Sequence, residues 1–142
     1  MRRRVLLLAF VLVVPIVCAA ADPSQEVWEV LTQVASALSA RNSQAVLAAF
    51  DPAMPGYDRL RDSVTALLRD SDVQSGVELE SDEGNGEERT EELDWLLTIR
   101  AEGDATASTR REQRVKCTLR KSGKKWLIVA FEPMEFLAPP KK

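Results

Sequence analysis

An α+β domain, with three N-terminal helices packed on one face of a curved four-stranded antiparallel sheet, is the fold class that the sequence predicts. Three observations predict it. Between residues 22 and 70 the apolar residues recur at helical spacing in three blocks separated by breaking residues. In Leu93, Trp95, Leu97, Ile99 and Ala101 they recur at every second position, as they do again in Val115, Cys117 and Leu119. Period two marks a strand buried on one face. The pair Ser122-Gly123 stands between Lys121 and Lys124, where a two-residue loop ending in glycine favours a tight hairpin.

The first helix opens at Asp22-Pro23-Ser24-Gln25, where Asp22 or Ser24 can accept from free amides and Pro23 suits the first turn. Val27, Val30, Leu31, Val34 and Leu38 follow at helical spacing, a wide apolar face fit to lie across a sheet. Arg41-Asn42-Ser43 ends it: Asn tolerates the left-handed conformation and Ser can cap the next helix, Gln44 to Phe50. Asp51 to Tyr57 holds two prolines and a glycine and reads as irregular. The third helix runs from Asp58 to about Asp70, with Leu60, Val64, Leu67 and Leu68 on one side.

Val73 to Ser81 reads as the first strand, with Glu78, Glu80 and Asp82 on its outer face and Glu83 to Glu92 as a solvated turn. A calcium loop there is disfavoured, because Gly84 and Gly86 occupy two positions that need ligands. Gly103 to Ala107 turns the second strand into the third, in a register that sets Arg100 against Glu112, Glu102 against Arg110 and Trp95 against Cys117. Across the last hairpin, Leu119 faces Trp126, Cys117 faces Ile128 and Val115 faces Ala130.

Composition bounds the function. Met1-Arg2-Arg3-Arg4, an apolar run from Val5 to Val17 and the small residues Cys18 to Ala21 have the layout of a secretory signal peptide. The run is shorter than the ~20 residues of a spanning helix. Cleavage after Ala21 leaves residues 22–142 as one domain, secreted or periplasmic, with no membrane segment. Cys117 is then the single cysteine, so packing without an intramolecular disulfide must hold the fold. Its inner-face position reads as a small buried hydrophobe. The net charge of −3 becomes more acidic once the leader arginines are gone, which argues against nucleic acid. Residues 22–94 carry 17 acidic and 5 basic side chains, whereas residues 95–142 carry 11 basic and 5 acidic. Acidic and basic halves therefore attract, within one chain or between two copies.

The chain contains no His, which removes the commonest neutral-pH base and metal ligand along with every Ser-His-Asp or Cys-His arrangement. No metal or cofactor is expected. Trp28, Trp95 and Trp126 can line a pocket but more often fill a core. On the outer face Leu127, Val129 and Phe131, with Leu96 nearby, form an apolar strip that no helix is left to cover, and such a strip marks an association surface.

Helix, short helix, the break from Phe50-Asp51 to Gly56-Tyr57, a third helix and a bent sheet ending in Gly123-Lys124-Lys125-Trp126-Leu127-Ile128 resemble the nuclear transport factor 2-like superfamily, in particular its SnoaL-like and DUF4440-like bacterial branch. The resemblance covers roughly residues 24 to 137 and rests on element order. It implies a cystatin-like cone, in which the sheet curls around the first helix. Between the second and third helices, where the superfamily commonly has a short strand pair, only Asp51 to Gly56 is available. The resemblance also implies either a small-molecule enzyme or a noncatalytic, dimerising scaffold.

For an isomerase or cyclase, the candidates are Tyr57 as oxyanion donor, with Asp51, Asp58 or Glu132 as base. A carboxylate buried there would be raised in pKa and could take a proton from beside a carbonyl. The structural alternative has Asp51 holding its turn, Asp58 capping the third helix and Tyr57 plugging the cone. Pocket candidates are Trp28, Phe50, Tyr57, Trp95, Gln113 and Trp126, with Gln113 and Glu132 placed inside by parity. The favoured expectation is an exported, noncatalytic homodimer, joined through Leu96, Leu127, Val129 and Phe131, that can hold a small apolar ligand. An accessory domain docking a basic protein partner is the third reading.

Overall fold

A computed structural model describes residues 22–103 and 106–141. The expected signal peptide, residues 1–21, and two residues of the 103–107 turn lie outside the described residues. Three helices, α1 (Pro23–Ser39), α2 (Ser43–Ala48) and α3 (Tyr57–Asp70), precede four strands, β1 (Ser71–Gly84), β2 (Glu88–Ala101), β3 (Ser108–Ser122) and β4 (Lys125–Glu132). A 3₁₀ turn, Met134–Leu137, follows β4. The strands form an antiparallel meander in the order β1-β2-β3-β4, and α1 lies against its inner face.

Local chemistry explains the helix ends. Asp22 caps α1, its Oδ1 accepting from the Ser24 amide at 3.1 Å. At the next junction Arg41, not Asn42, takes the left-handed conformation (φ 56°). Asn42 is instead the cap of α2, accepting from the Ala45 amide at 3.1 Å, and Ser43 is the first helical residue. The guanidinium explains why Arg41 tolerates this backbone. It donates to the Leu68 and Arg69 carbonyls and reaches Asp72 and Glu102, satisfying the end of α3. Replacing Asn42 with Ala is expected to cost about 1 kcal/mol in chemical denaturation. An unchanged midpoint would show that the cap contributes nothing.

α2 ends in a backbone splice to the sheet. Asp51 N donates to Ile128 O at 2.9 Å and Ile128 N donates to Ala49 O at 2.8 Å. This parallel bridge at Phe50 covers the free edge of β4.

The strands are longer and their registers different from expectation. Trp95 faces Gln113, Arg100 faces Ser108 and Glu112 faces Leu96, so the predicted pairs of Arg100 with Glu112 and Trp95 with Cys117 do not form. On the β3–β4 ladder Leu119 faces Ile128 and Cys117 faces Phe131. The two-residue loop is Gly123-Lys124, one position later than expected, which moves Leu119 from Trp126 to Ile128; a bulge at Val129 then adds one residue to β4 and reverses which side chains point inward beyond it. Phe131 is consequently buried, its ring 5.7 Å from Phe50 and 6.0 Å from Trp95 in edge contacts, and it is not part of an outer strip.

A second bulge, at Glu80, acts in the same way on β1. Ser81 comes to face Glu92, and Asp82 comes to face Glu91 on the inner side, opposite to the outer placement that simple alternation gives. The supposed solvated turn from Glu83 to Glu92 shrinks accordingly, with β1 ending at Gly84 and β2 starting at Glu88. Asn85 Oδ1 organises the short connection by accepting from the amides of Glu87 and Glu88.

Candidate functional site

The inner face of the sheet and α1 enclose a filled apolar interior. Trp95, Phe50, Phe131 and Phe136 are its largest fully buried side chains, each at most 2% exposed. Trp95 sits on a central strand, and its indole N–H donates to Ser75 Oγ at 2.7 Å. Phe136, from the 3₁₀ turn, stands 5.8 Å from the Trp95 ring. Trp126 is buried as well, with its indole N–H donating to Glu26 Oε2 at 3.1 Å.

At one end of this interior lies a polar cluster that sequence reasoning missed. Continuing the alternation of β2 back from Leu93 puts Glu91 and Arg89 on the inner face, and the Glu80 bulge brings Asp82 to meet them. Glu91 is only 2% exposed. Arg89 donates to Asp82 Oδ1 at 2.8 Å from Nε and lies 2.7 Å from it through Nη2. The Arg89 Nε is also 3.8 Å from Glu91 Oε1, an oxygen that has no hydrogen-bond partner among the described residues.

The two carboxyl groups divide one proton. Burial, and then the hydrogen bond and charge of Asp82, push Glu91 up to about 8. Asp82 is held below its ordinary value, first by the hydrogen bond from Glu91, with Ser24 and Arg89 adding to it. Near neutral pH Glu91 is therefore a carboxylic acid donating to an ionised Asp82. Cys117 stands across from Glu91, its thiol pushed up by burial and then by the Glu91 charge, which makes it a poor nucleophile. The signal was available in the parity of β2. It was obscured because Glu83 to Glu92 lacks any apolar residue and looks like a loop.

The four catalytic candidates do not join this cluster. Asp51 Oδ1 accepts from the Ala53 amide at 2.9 Å within its own turn. Asp58 is exposed and pairs with Arg61 at 3.3 Å. Glu132 is exposed at the end of β4, while Tyr57 is half-buried against the core. Among the pocket candidates Phe50, Trp95 and Trp126 are buried, and Trp28 and Tyr57 pack at the core's margin. Gln113 is exposed despite facing Trp95 across the ladder, so it does not line the interior. Among the described residues no group of three or more His, Cys, Asp or Glu side chains is placed to hold a metal ion.

The outer face is mainly charged. Arg114 at its centre donates to Asp94 Oδ1 at 2.7 Å and lies 3.7 Å from Glu80 and 3.9 Å from Glu92. Leu96 is half-buried and faces Glu112, six ladder positions (118 − 112) away from the Thr118–Ala130 pair beside which Leu127 and Val129 lie. The anticipated apolar strip is thus interrupted. Beyond Arg114 the sheet forms an open trough of about 1210 Å³. Glu83, Glu87 and Glu88 line it from the β1–β2 hairpin, and Lys116, Arg120 and Lys121 line it from β3.

No family model matches the sequence, and no curated protein matches it significantly. Solved structures do share its architecture. A Salmonella enterica protein of the nuclear transport factor 2-like superfamily aligns with TM-score 0.63 and 14% identity, over 84% of this chain and 93% of that one. A Nostoc punctiforme protein of unknown function with a cystatin-like fold aligns with TM-score 0.59 and 21% identity, over 76% and 86%. A ketosteroid isomerase-like protein from Erwinia carotovora aligns with TM-score 0.61 and 14% identity, over 75% and 90%. With three helices packed on a curved four-stranded antiparallel sheet, this chain has a cystatin-like fold, similar to that of the nuclear transport factor 2-like protein and of the other two.

Proposed function

We propose that this chain is an exported, noncatalytic scaffold that associates as a homodimer through the outer face of its sheet and takes a small apolar ligand within the cone. One observation carries the noncatalytic reading. Asp51, Asp58 and Glu132 are separately engaged or solvated, and none converges with Tyr57 on a common point where a reacting atom could sit. Export rests on the layout of residues 1–21, with its arginines, apolar run and small-residue end.

The outer trough supports association. Its acidic and basic walls run side by side on one surface, so a copy related by a two-fold axis can set each wall against its opposite. The interface differs from a purely apolar one, because Leu127 and Val129 border charged residues and Phe131 has left the surface. Light scattering coupled to size exclusion, at tens of micromolar protein, is expected to give a dimer at low ionic strength that weakens as salt is added. Changing Lys116 and Lys121 together to Glu is expected to yield a monomer with unchanged circular dichroism. A strict monomer in low salt, or a dimer indifferent to both salt and the double substitution, overturns this part of the reading.

A catalytic reading has one observation in its favour: Glu91, a buried carboxylic acid inside the cone, in a fold shared with a ketosteroid isomerase-like protein. Its proton is committed to Asp82 and Arg89 stands beside both carboxyl groups, which is the arrangement of a structural pair.

A further inference from the structure

The segment after β4 packs its side chains into the interior of the cone. Phe136 and Leu137 are 1% and 0% exposed, and the Phe136 ring lies on Trp95, which also contacts Phe131. Yet the segment is no part of the sheet. Among the described residues its backbone hydrogen bonds are local, from Phe136 N to Pro133 O and from Ala138 N to Glu135 O. What ties it to the body is side-chain packing, an exposed contact of 3.9 Å between Arg59 and Glu135, and one guanidinium. Arg111 Nη1 donates to the carbonyl of Phe136 and, at 2.8 Å, to that of Ala138.

Arg111 is the informative residue. It faces Leu97 on the ladder, is drawn out of water far enough for burial to lower its pKa, and among the described residues its side chain donates to the neutral tail carbonyls. A guanidinium in such a place binds a carboxylate more strongly than a carbonyl, because both groups are then charged and the contact can be bidentate. An aromatic ring on Trp95 and a carbonyl dipole on Arg111, presented by the same short segment, have the outline of one small molecule.

We propose that residues 134–138 act as an internal plug, and that the site they fill takes an aromatic carboxylic acid, with its ring replacing Phe136 against Trp95 and its carboxylate replacing the tail carbonyls on Arg111. The inference rests on the reading that the cone holds a ligand; it keeps that ligand's apolar body as a ring, gives it a carboxylate in place of a wholly apolar character, and names the segment that competes with it. Departure of the plug breaks no ladder hydrogen bond, since the four strands are complete without it.

The test uses 1-naphthylacetate and its neutral counterpart 1-naphthylacetamide, titrated by calorimetry into the unaltered chain, Phe136→Ala and Arg111→Gln. The acid is expected to bind Phe136→Ala at least tenfold more tightly than the unaltered chain. Arg111→Gln is expected to bind acid and amide alike. Hydrogen exchange on the unaltered chain guards against a variant that fails to fold: saturating acid should speed exchange at the amides of Phe136 and Ala138. Equal affinity of folded Phe136→Ala and the unaltered chain, or binding with tail protection unchanged, overturns the plug while leaving a ligand-holding cone. Failure of both probes to bind every variant overturns the ligand reading itself.

Discussion

Glu91→Gln is expected to abolish most of the dependence of stability on pH between about 4.5 and 8. In the folded chain Glu91 is raised from 4.5 to about 8 by burial and by Asp82, so folding takes up a proton throughout that interval. A raised acid contributes stability that is fully present below its unfolded value and lost as pH climbs through the folded one. Each unit is worth at most about 1.4 kcal/mol, so the denaturation midpoint of the unaltered chain should fall steadily from pH 5 to pH 8. The groups that face Glu91 are Asp82 from β1, Arg89 from β2, Cys117 from β3 and, through Asp82, Ser24 from α1. Asp82 acts in the opposite sense. Its lowered value makes it a source of stability above its unfolded range that is lost on strong acidification. Gln is nearly isosteric with the protonated acid and can still donate to Asp82, so Glu91→Gln should match the parent near pH 5 and exceed it near pH 9. Parallel curves for the two proteins would show that Glu91 is ionised in the folded chain.

Trp95→Ala is expected to cost about 3–5 kcal/mol, as removal of a fully buried Trp usually does. The ring is 0% exposed on a central strand, touches Phe131 and Phe136 and anchors its indole N–H on Ser75 Oγ. Truncation removes the apolar contacts, leaves a cavity and strands the Ser75 hydroxyl. For a domain whose whole stability is about 5–15 kcal/mol, the melting temperature should drop by about 10–20 °C. Trp95→Phe retains a ring and loses the hydrogen bond, so its cost should be nearer 1–2 kcal/mol. A loss under about 1 kcal/mol for Trp95→Ala would place the ring on an open pocket wall, where water or a ligand already shares its surface.

Burial at the two ends of the inner face divides the residues that sequence could place from those it could not. Trp95, Leu97 and Ile99 sit where period two puts them, because a strand covered on one side must send its apolar residues to that side. Glu91 obeys the same parity but carries a charge, and charge is ordinarily read as solvent. Phe131 and Asp82 disobey simple alternation because each follows a bulge. Nothing in the residues around Glu80 or Val129 announces an extra residue, since a bulge is decided jointly by two strands.

The catalytic candidates failed to converge for a similar reason. Asp51, Tyr57 and Asp58 are neighbours in sequence, yet the turn at Asp51 consumes one carboxylate and helix α3 turns the other toward Arg61. Three helices, four antiparallel strands, the inner placement of Trp95 and the absence of His were all determined by the sequence, since propensity, spacing and composition act over a few residues. Only the tertiary structure decided the ladder registers, the meeting of Asp82 with Glu91 beneath Arg89, and the seating of Phe136 on Trp95. Each joins segments separated along the chain, and which partner a strand or tail finds is set by how two surfaces fit after folding.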